Sequence, residues 1–172
     1  MRTLLELITI EMKEAFVKAG YGEELARVTL SNRPDLCEYQ CNGAMAGAKK
    51  YKKAPIMIAE DVVANLAETA AYEIGANTAL ARAGAYYHDI GKLKNPQMFS
   101  ENQAGYNPHD DLAPETSAKI ITQHPKDGVE MGRAHGLPNV ILDVIREHHG
   151  TSLVKFFYFK ALKLYGADNV NE

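Results

Sequence analysis

From Ile56 to Ile74 the chain runs without a glycine or a proline, and Ile58, Val62, Leu66, Ala70 and Ile74 recur at every fourth position. That spacing stacks five apolar side chains along one stripe of an α-helix. Pro55 stands just ahead, where a first helical residue needs no amide hydrogen. Gly75-Ala76-Asn77 follows and stops the helix. A long rod in the middle of the chain leaves both flanks to pack as separate pieces around or beside it.

The flanks read differently. Residues 3–19 predict an amphipathic helix, with Leu4, Leu7, Ile8, Met12, Ala15 and Phe16 at three- and four-residue steps and Gly20 as C-cap. Arg27 to Leu30 predicts a short strand, because Val28 and Thr29 are β-branched. Ser31 to Asp35 reads as a turn, and a helix is expected from about Asn42 to Lys53. After the central rod, helices are expected at 78–90, 114–124, 126–135, 139–148 and 152–165, with a glycine or proline at each break. Leu93 to Leu112 has no clear period, and an irregular stretch of that length is usually functional or mobile. No internal repeat or low-complexity tract appears. The expectation is a mainly α protein: a small α+β N-terminal unit, then a helical bundle. No linker separates them, so the boundary falls inside the central helix, with domains at 1–59 and 60–172.

Charge changes sign along the chain although the net charge is only −3. Residues 1–59 carry nine Lys/Arg against seven Asp/Glu, and residues 60–172 carry ten against fifteen. The balance excludes indiscriminate nucleic-acid binding and points to two segments of different origin. No apolar run approaches the roughly 18 residues of a membrane span, so no membrane segment is expected. Glu6 and Glu11 interrupt any signal-peptide pattern. Cys37 and Cys41 do not have zinc-ribbon spacing and read as reduced thiols, consistent with a cytoplasmic location.

The chemistry is carried by histidine and aspartate. His88-Asp89 sits in Ala-Tyr-Tyr-His-Asp-Ile-Gly-Lys, His124 is expected to close one helix, and His148-His149 to close the next. Imidazole nitrogens and carboxylate oxygens are ligands of first-row divalent metals. A carboxylate can bridge two ions roughly 3.5–4 Å apart, which clamp a phosphate and generate hydroxide. A lone His-Asp pair is common on solvated surfaces, and a His-His pair can simply face a helix dipole. Two doublets, each followed within two residues by glycine and with a histidine between them, point instead to a metal site. His109 and His135 read as surface histidines.

These motifs resemble the HD superfamily of metal-dependent phosphohydrolases. Residues from about 63 to 172 are similar to the cytosolic catalytic domain of membrane-anchored HD phosphodiesterases that hydrolyse cyclic di-AMP. The matching text is Val-Ala-Asn-Leu-Ala-Glu (63–68), the His88 motif (84–92), Glu-Asn-Gln (101–103), Asn-Pro-His-Asp (107–110), His-Pro-Lys-Asp-Gly-Val-Glu (124–130) and Glu-His-His-Gly-Thr (147–151). The resemblance implies an HD-type bundle, with His88, Asp89, His124, His148 and His149 as ligands of manganese or iron. It also implies a catalytic role for Asp89 and for Lys92 near a phosphate oxygen. Asn107, His109 and Asp110 become candidate nucleotide contacts. Two departures follow from the same comparison. Ala59 stands where the family has its first histidine ligand, and the family's last aspartate lies just beyond a segment like the one ending here at Glu172. One ion keeps Asp89, His124, His148 and His149; the other keeps only His88 and Asp89. Glu60 and Asp61 are nearby acids, but they point about 100° and 200° away around the helix.

Residues 1 to about 62 resemble a different family, the N-terminal additional domain of bacterial arginyl-tRNA synthetases. The match runs through Leu-Ala-Arg-Val-Thr-Leu-Ser-Asn-Arg-Pro-Asp-Leu (25–36), Tyr-Gln-Cys-Asn-Gly-Ala (39–44), Ala-Lys-Lys-Tyr-Lys-Lys-Ala-Pro (48–55) and Ile-Ala-Glu-Asp-Val-Val (58–63). In that family the domain contacts the D-loop of tRNA, which makes Tyr39, Gln40, Asn42, Lys49 and Lys50 candidate tRNA contacts, with Lys52 and Lys53 beside them. The lysine run reads equally as a solvated helix face. No synthetase nucleotide-binding core accompanies it, so aminoacylation is not expected. The two resemblances meet inside one helix, as in a chimera of natural or laboratory origin. The expected function is a metal-dependent phosphodiesterase-like domain that binds or acts on a cyclic dinucleotide or other phosphodiester, catalytically impaired, fused to a tRNA-binding-like module. The alternative is a non-catalytic chimeric product or a nucleotide or tRNA binder.

Overall fold

The computed structural model describes residues 2–32, 37–103 and 105–171. The expected turn at Arg33, Pro34 and Asp35 lies outside the described residues. The chain divides into two compact units, Met1–Ala85 and Tyr86–Glu172.

The first unit contains α1 (Leu4–Lys18), strands β1 (Val28–Leu30) and β2 (Tyr39–Cys41), α2 (Gly43–Tyr51), α3 (Pro55–Glu73) and most of α4 (Thr78–Tyr87). A reciprocal cap starts α1: the Thr3 hydroxyl accepts from the Glu6 amide, and the Glu6 carboxylate accepts from the Thr3 amide at 2.8 Å. The two strands pair antiparallel with Val28 opposite Cys41 and Leu30 opposite Tyr39. Only the first was expected, because Tyr-Gln-Cys is too short to show a two-residue alternation.

α3 is one unbroken helix, as its apolar spacing requires, and it packs against α1 and α2. Ile58 and Val62 join Ala15, Phe16, Tyr21 and Ala26 in the core of this unit. The stripe is covered only in its first half: Leu66 is half-buried, and Ile74 is 81% exposed. Gly43 starts α2 where a Cβ would come 2.3 Å from the Leu25 carbonyl oxygen, so α2 can approach only through a glycine.

The second unit holds α5 (Pro114–Ala134), α6 (Asn139–Glu147) and α7 (Lys155–Tyr165), preceded by short 3-10 turns. The expected helices 114–124 and 126–135 are a single helix that passes through Pro125. The reason is packing. Downstream of the proline, Gly128 and Gly132 form a trough one turn apart, in which added Cβ atoms would lie 2.7 Å from Ile145 and 2.8 Å from Leu142. The fully buried face of α6, Ile141, Leu142 and Ile145, is laid against α5. That burial outweighs the one backbone hydrogen bond a proline removes.

Much of the stretch from Leu93 to Leu112 is ordered as successive 3-10 turns at Ile90–Lys94, Pro96–Met98, Ser100–Asn102 and Pro108–Asp110. Phe99 and His109, at 6% and 4% exposure, anchor it. His109 is therefore not a surface histidine. Its ring packs on Phe157 and its Nε2 lies 2.8 Å from the Met98 carbonyl oxygen, contacts that no local pattern announces. Among the described residues no helix is long and apolar enough to cross a membrane.

Candidate metal centre

His88 and Asp89 follow the end of α4 and lead into the first 3-10 turn. That turn lies directly on α5, because a Cβ on Gly91 would be 1.8 Å from the His124 carbonyl oxygen and 2.5 Å from the Gly128 nitrogen. A residue without a side chain is what lets Asp89 reach α5.

The two oxygens of Asp89 have different surroundings. Oδ2 lies 2.8 Å from the Lys92 ammonium and 3.3 Å from His88 Nε2. Oδ1 lies 3.2 Å from His124 Nε2 and 3.5 Å from His148 Nε2, yet it is buried and has no hydrogen-bond partner among the described residues. Burial raises the affinity of this carboxylate for a proton. The Lys92 ammonium at Oδ2 opposes that and holds the pKa below the usual carboxylate range. Lys92 also pairs with Glu101 at 2.7 Å. Burial lowers its pKa, but the two carboxylates, Asp89 and Glu101, raise it beyond that.

The imidazoles explain the unpartnered oxygen. His124 Nδ1 is 2.6 Å from the Ile121 carbonyl oxygen, and His148 Nδ1 is 2.8 Å from that of Ile145. A carbonyl only accepts, so each ring carries its hydrogen on Nδ1 when neutral and presents a bare lone pair on Nε2. The two Nε2 atoms then face each other at 3.2 Å with no proton to share. Two bare nitrogens and one bare carboxylate oxygen converge, and a cation is what such a set accommodates. One ligand atom from each of Asp89, His124, His148 and His149 lies within 4.8 Å of the others. Metal–ligand bonds of ~2.1 Å at tetrahedral or octahedral angles would place neighbouring ligand atoms ~3.0–3.4 Å apart, so His124 Nε2, His148 Nε2 and Asp89 Oδ1, at 3.2–3.5 Å, fit a first-row divalent ion. Burial lowers the pKa of His148 and of His149, which favours the neutral form that a metal requires.

Other candidates fall elsewhere. His88 lies outside the four-residue group, with its ring 5.0 Å from that of His148. Asn107 is occupied within its own loop: its side-chain oxygen accepts from the His109 amide and from Gln103, and its amide group reaches Asp110. Asp110 is exposed. In the first unit, Asp61 is tied to Tyr21 and Lys53. Tyr39 and Gln40 lie on β2, where Gln40 accepts from the Asn32 amide, and Asn42 is exposed at the start of α2. Lys49 is exposed, whereas Lys50 pairs with Glu24 at 2.7 Å. Sequence reading missed the cavity of about 280 Å³ beside His124 and His149, lined also by Ile121, Pro125, Ser152 and Leu153. Its walls come from two segments, residues 121–125 and 149–154, which only the fold brings together.

A family model described as HD domain matches residues 62–171. The chain belongs to the HD-domain family. This HD domain is 54% identical over 101 residues to the cyclic-di-AMP phosphodiesterase PgpH of Bacillus subtilis, a span of 58% of this chain and 14% of that protein. A solved structure of the Listeria monocytogenes PgpH HD domain in complex with cyclic-di-AMP matches with a TM-score of 0.60 at 51% identity, covering 64% of this chain and 51% of that one. The model of the arginyl tRNA synthetase N terminal domain matches residues 2–80 and so overlaps the HD match within α3 and the start of α4. The arginine–tRNA ligase of Agathobacter rectalis is 58% identical over 73 residues, 42% of this chain and 12% of that enzyme. The chain thus spans a small fraction of each full-length relative and joins segments similar to two of them.

Proposed function

We propose that this chain binds one divalent transition metal, manganese or iron, through Asp89, His124, His148 and His149, and that it binds a cyclic dinucleotide such as cyclic di-AMP at that site with little or no hydrolysis. The observation that carries the reading is the convergence of His124 Nε2, His148 Nε2 and Asp89 Oδ1 without a proton among them. When bound, such an ion lowers the pKa of a coordinated water and neutralises phosphate charge. Lys92 holds Asp89 by Oδ2 and so leaves Oδ1 turned to the histidines. The cavity beside His124 and His149 would receive a nucleoside attached to a phosphate at the cluster. His88 supports at most a poor second site, because Ala59 offers no ligand where the resembled family has a histidine. Each lost electrostatic contribution of about 1.4 kcal/mol is a tenfold loss in rate, so a one-ion site should be slower by orders of magnitude.

Metal analysis after chelation and reloading with manganese tests this. About one ion per chain is expected, and His124→Ala or His148→Ala should abolish it. Calorimetry should then detect cyclic di-AMP binding to the loaded chain, with turnover at least about 100-fold below that of the B. subtilis HD domain. Two tightly held ions, or turnover equal to that relative, would overturn the one-ion reading.

For the first unit the resemblance supports a tRNA-contacting surface of Tyr39, Gln40, Asn42, Lys49 and Lys50, with the join between the two ancestries near residues 59–60 in α3. Replacing Lys49 and Lys52 together by glutamate should weaken tRNA binding and flatten its salt dependence. No change in either would reduce the lysine run to a solvated helix face.

A further inference from the structure

Pro125 sits inside α5, one residue after His124, and the helix does not break there. An ordinary residue at 125 would donate its amide hydrogen to the carbonyl four residues back, which is that of Ile121. Proline has no such hydrogen. The Ile121 carbonyl is therefore released from the helix ladder, and it is this carbonyl that accepts from His124 Nδ1 at 2.6 Å.

His148 obtains the same arrangement by other means. α6 ends at Glu147, so the Ile145 carbonyl belongs to the last turn and lacks a helical amide partner. It accepts from His148 Nδ1 at 2.8 Å. Both imidazoles are thus oriented by an orphaned helix carbonyl. One is orphaned by the end of a helix and the other, deep within a helix of 21 residues, by a proline.

We propose that Pro125 is a positioning residue for the metal centre: by withholding an amide hydrogen from the Ile121 carbonyl it reserves that acceptor for His124 Nδ1, and this aims an unprotonated Nε2 at Asp89 and His148. The proposal rests on the metal-site reading above, but its first readout needs no metal. The alternative role for Pro125 is shape alone, a bend that a proline ring imposes on the helix. The two differ in which atom matters, the missing hydrogen or the ring.

The experiment uses the full chain, 15N-labelled at histidine, with metal chelated and at about pH 8.5, above the ordinary imidazole range. The His124 ring nitrogens report the tautomer directly, with assignment by His124→Gln. In the native chain the expected result is hydrogen on Nδ1. Pro125→Ala restores the amide, which reclaims the Ile121 carbonyl, so the signal should move toward the Nε2–H tautomer. Manganese affinity should fall at least tenfold, while helicity and thermal stability hold or rise. A second variant with lactic acid at position 125 has neither ring nor amide hydrogen, and it should restore both the native tautomer and the native affinity. A native tautomer with hydrogen on Nε2, or an unchanged tautomer in Pro125→Ala, overturns the proposal. Failure of the lactic acid variant to restore the tautomer overturns it in favour of the ring. If the tautomer behaves as expected but the native chain takes up no manganese, the metal-site reading fails and Pro125 is left orienting a histidine without an ion.

Discussion

Single atoms decide this centre. The distinction between Asp89 Oδ1, unpartnered and turned to two imidazoles, and Oδ2, held by Lys92, makes the carboxylate directional. Lys92→Met should therefore do more than remove a charge: with Oδ2 released, manganese affinity should fall severalfold in a titration, and an unchanged affinity would show that Asp89 is held by its backbone alone. Gly91 is a second atomic constraint. A methyl group there would overlap the His124 carbonyl oxygen at 1.8 Å, which is backbone and cannot rotate aside. Gly91→Ala should cost about 1–3 kcal/mol in denaturant unfolding and should weaken ion binding by more than tenfold, since it separates Asp89 from α5. Ion binding that survives the change would mean that the turn is not what sets the distance.

At the scale of elements, α5 and α6 carry the candidate ligands as a pair. His124 lies on one and His148 at the end of the other, and the pair is joined by the Gly128–Gly132 trough filled by Ile145 and Leu142. Ile145 is fully buried, and its carbonyl also orients His148. Ile145→Ala should destabilise the second unit by about 2–5 kcal/mol through the cavity left behind, measurable by urea unfolding. Because the carbonyl is unchanged, ion affinity should fall less than stability does. A loss of affinity as large as that of His148→Ala would assign Ile145 a role beyond packing. Lys94 adds a further tie, reaching the buried carboxylate of Asp127 on α5 at 2.8 Å and so fastening the turn that follows Asp89.

For the whole molecule, the two compact units predict selective responses. An ion that binds only the native second unit stabilises it by about 2.7 kcal/mol at a free concentration 100 times its Kd. Hydrogen exchange should show that protection in α5 and α6 on adding manganese, with α1 and α2 unchanged. Equal protection throughout would mean that the units unfold as one. The sequence expectation of a single rod at 56–74 agrees with α3, and both family matches include its residues 62–73. The compact units themselves divide later, at Ala85 and Tyr86.

What the sequence determined by itself follows from local periodicity and from rare residues. Apolar steps of three and four marked α1 and α3, glycine and proline breaks marked α6, and the histidine doublets with His124 between them singled out the residues of the candidate cluster before any fold was known. What only the tertiary structure decided is where long-range packing overrides local preference. Pro125 signals a helix end in isolation, but the fit of α6 against Gly128 and Gly132 keeps α5 continuous. His109 looks like a surface residue until Phe157, distant in sequence, covers it. Residue type is a local property that a sequence displays; which lone pair faces which neighbour depends on contacts between segments far apart, and those exist only once the chain has folded.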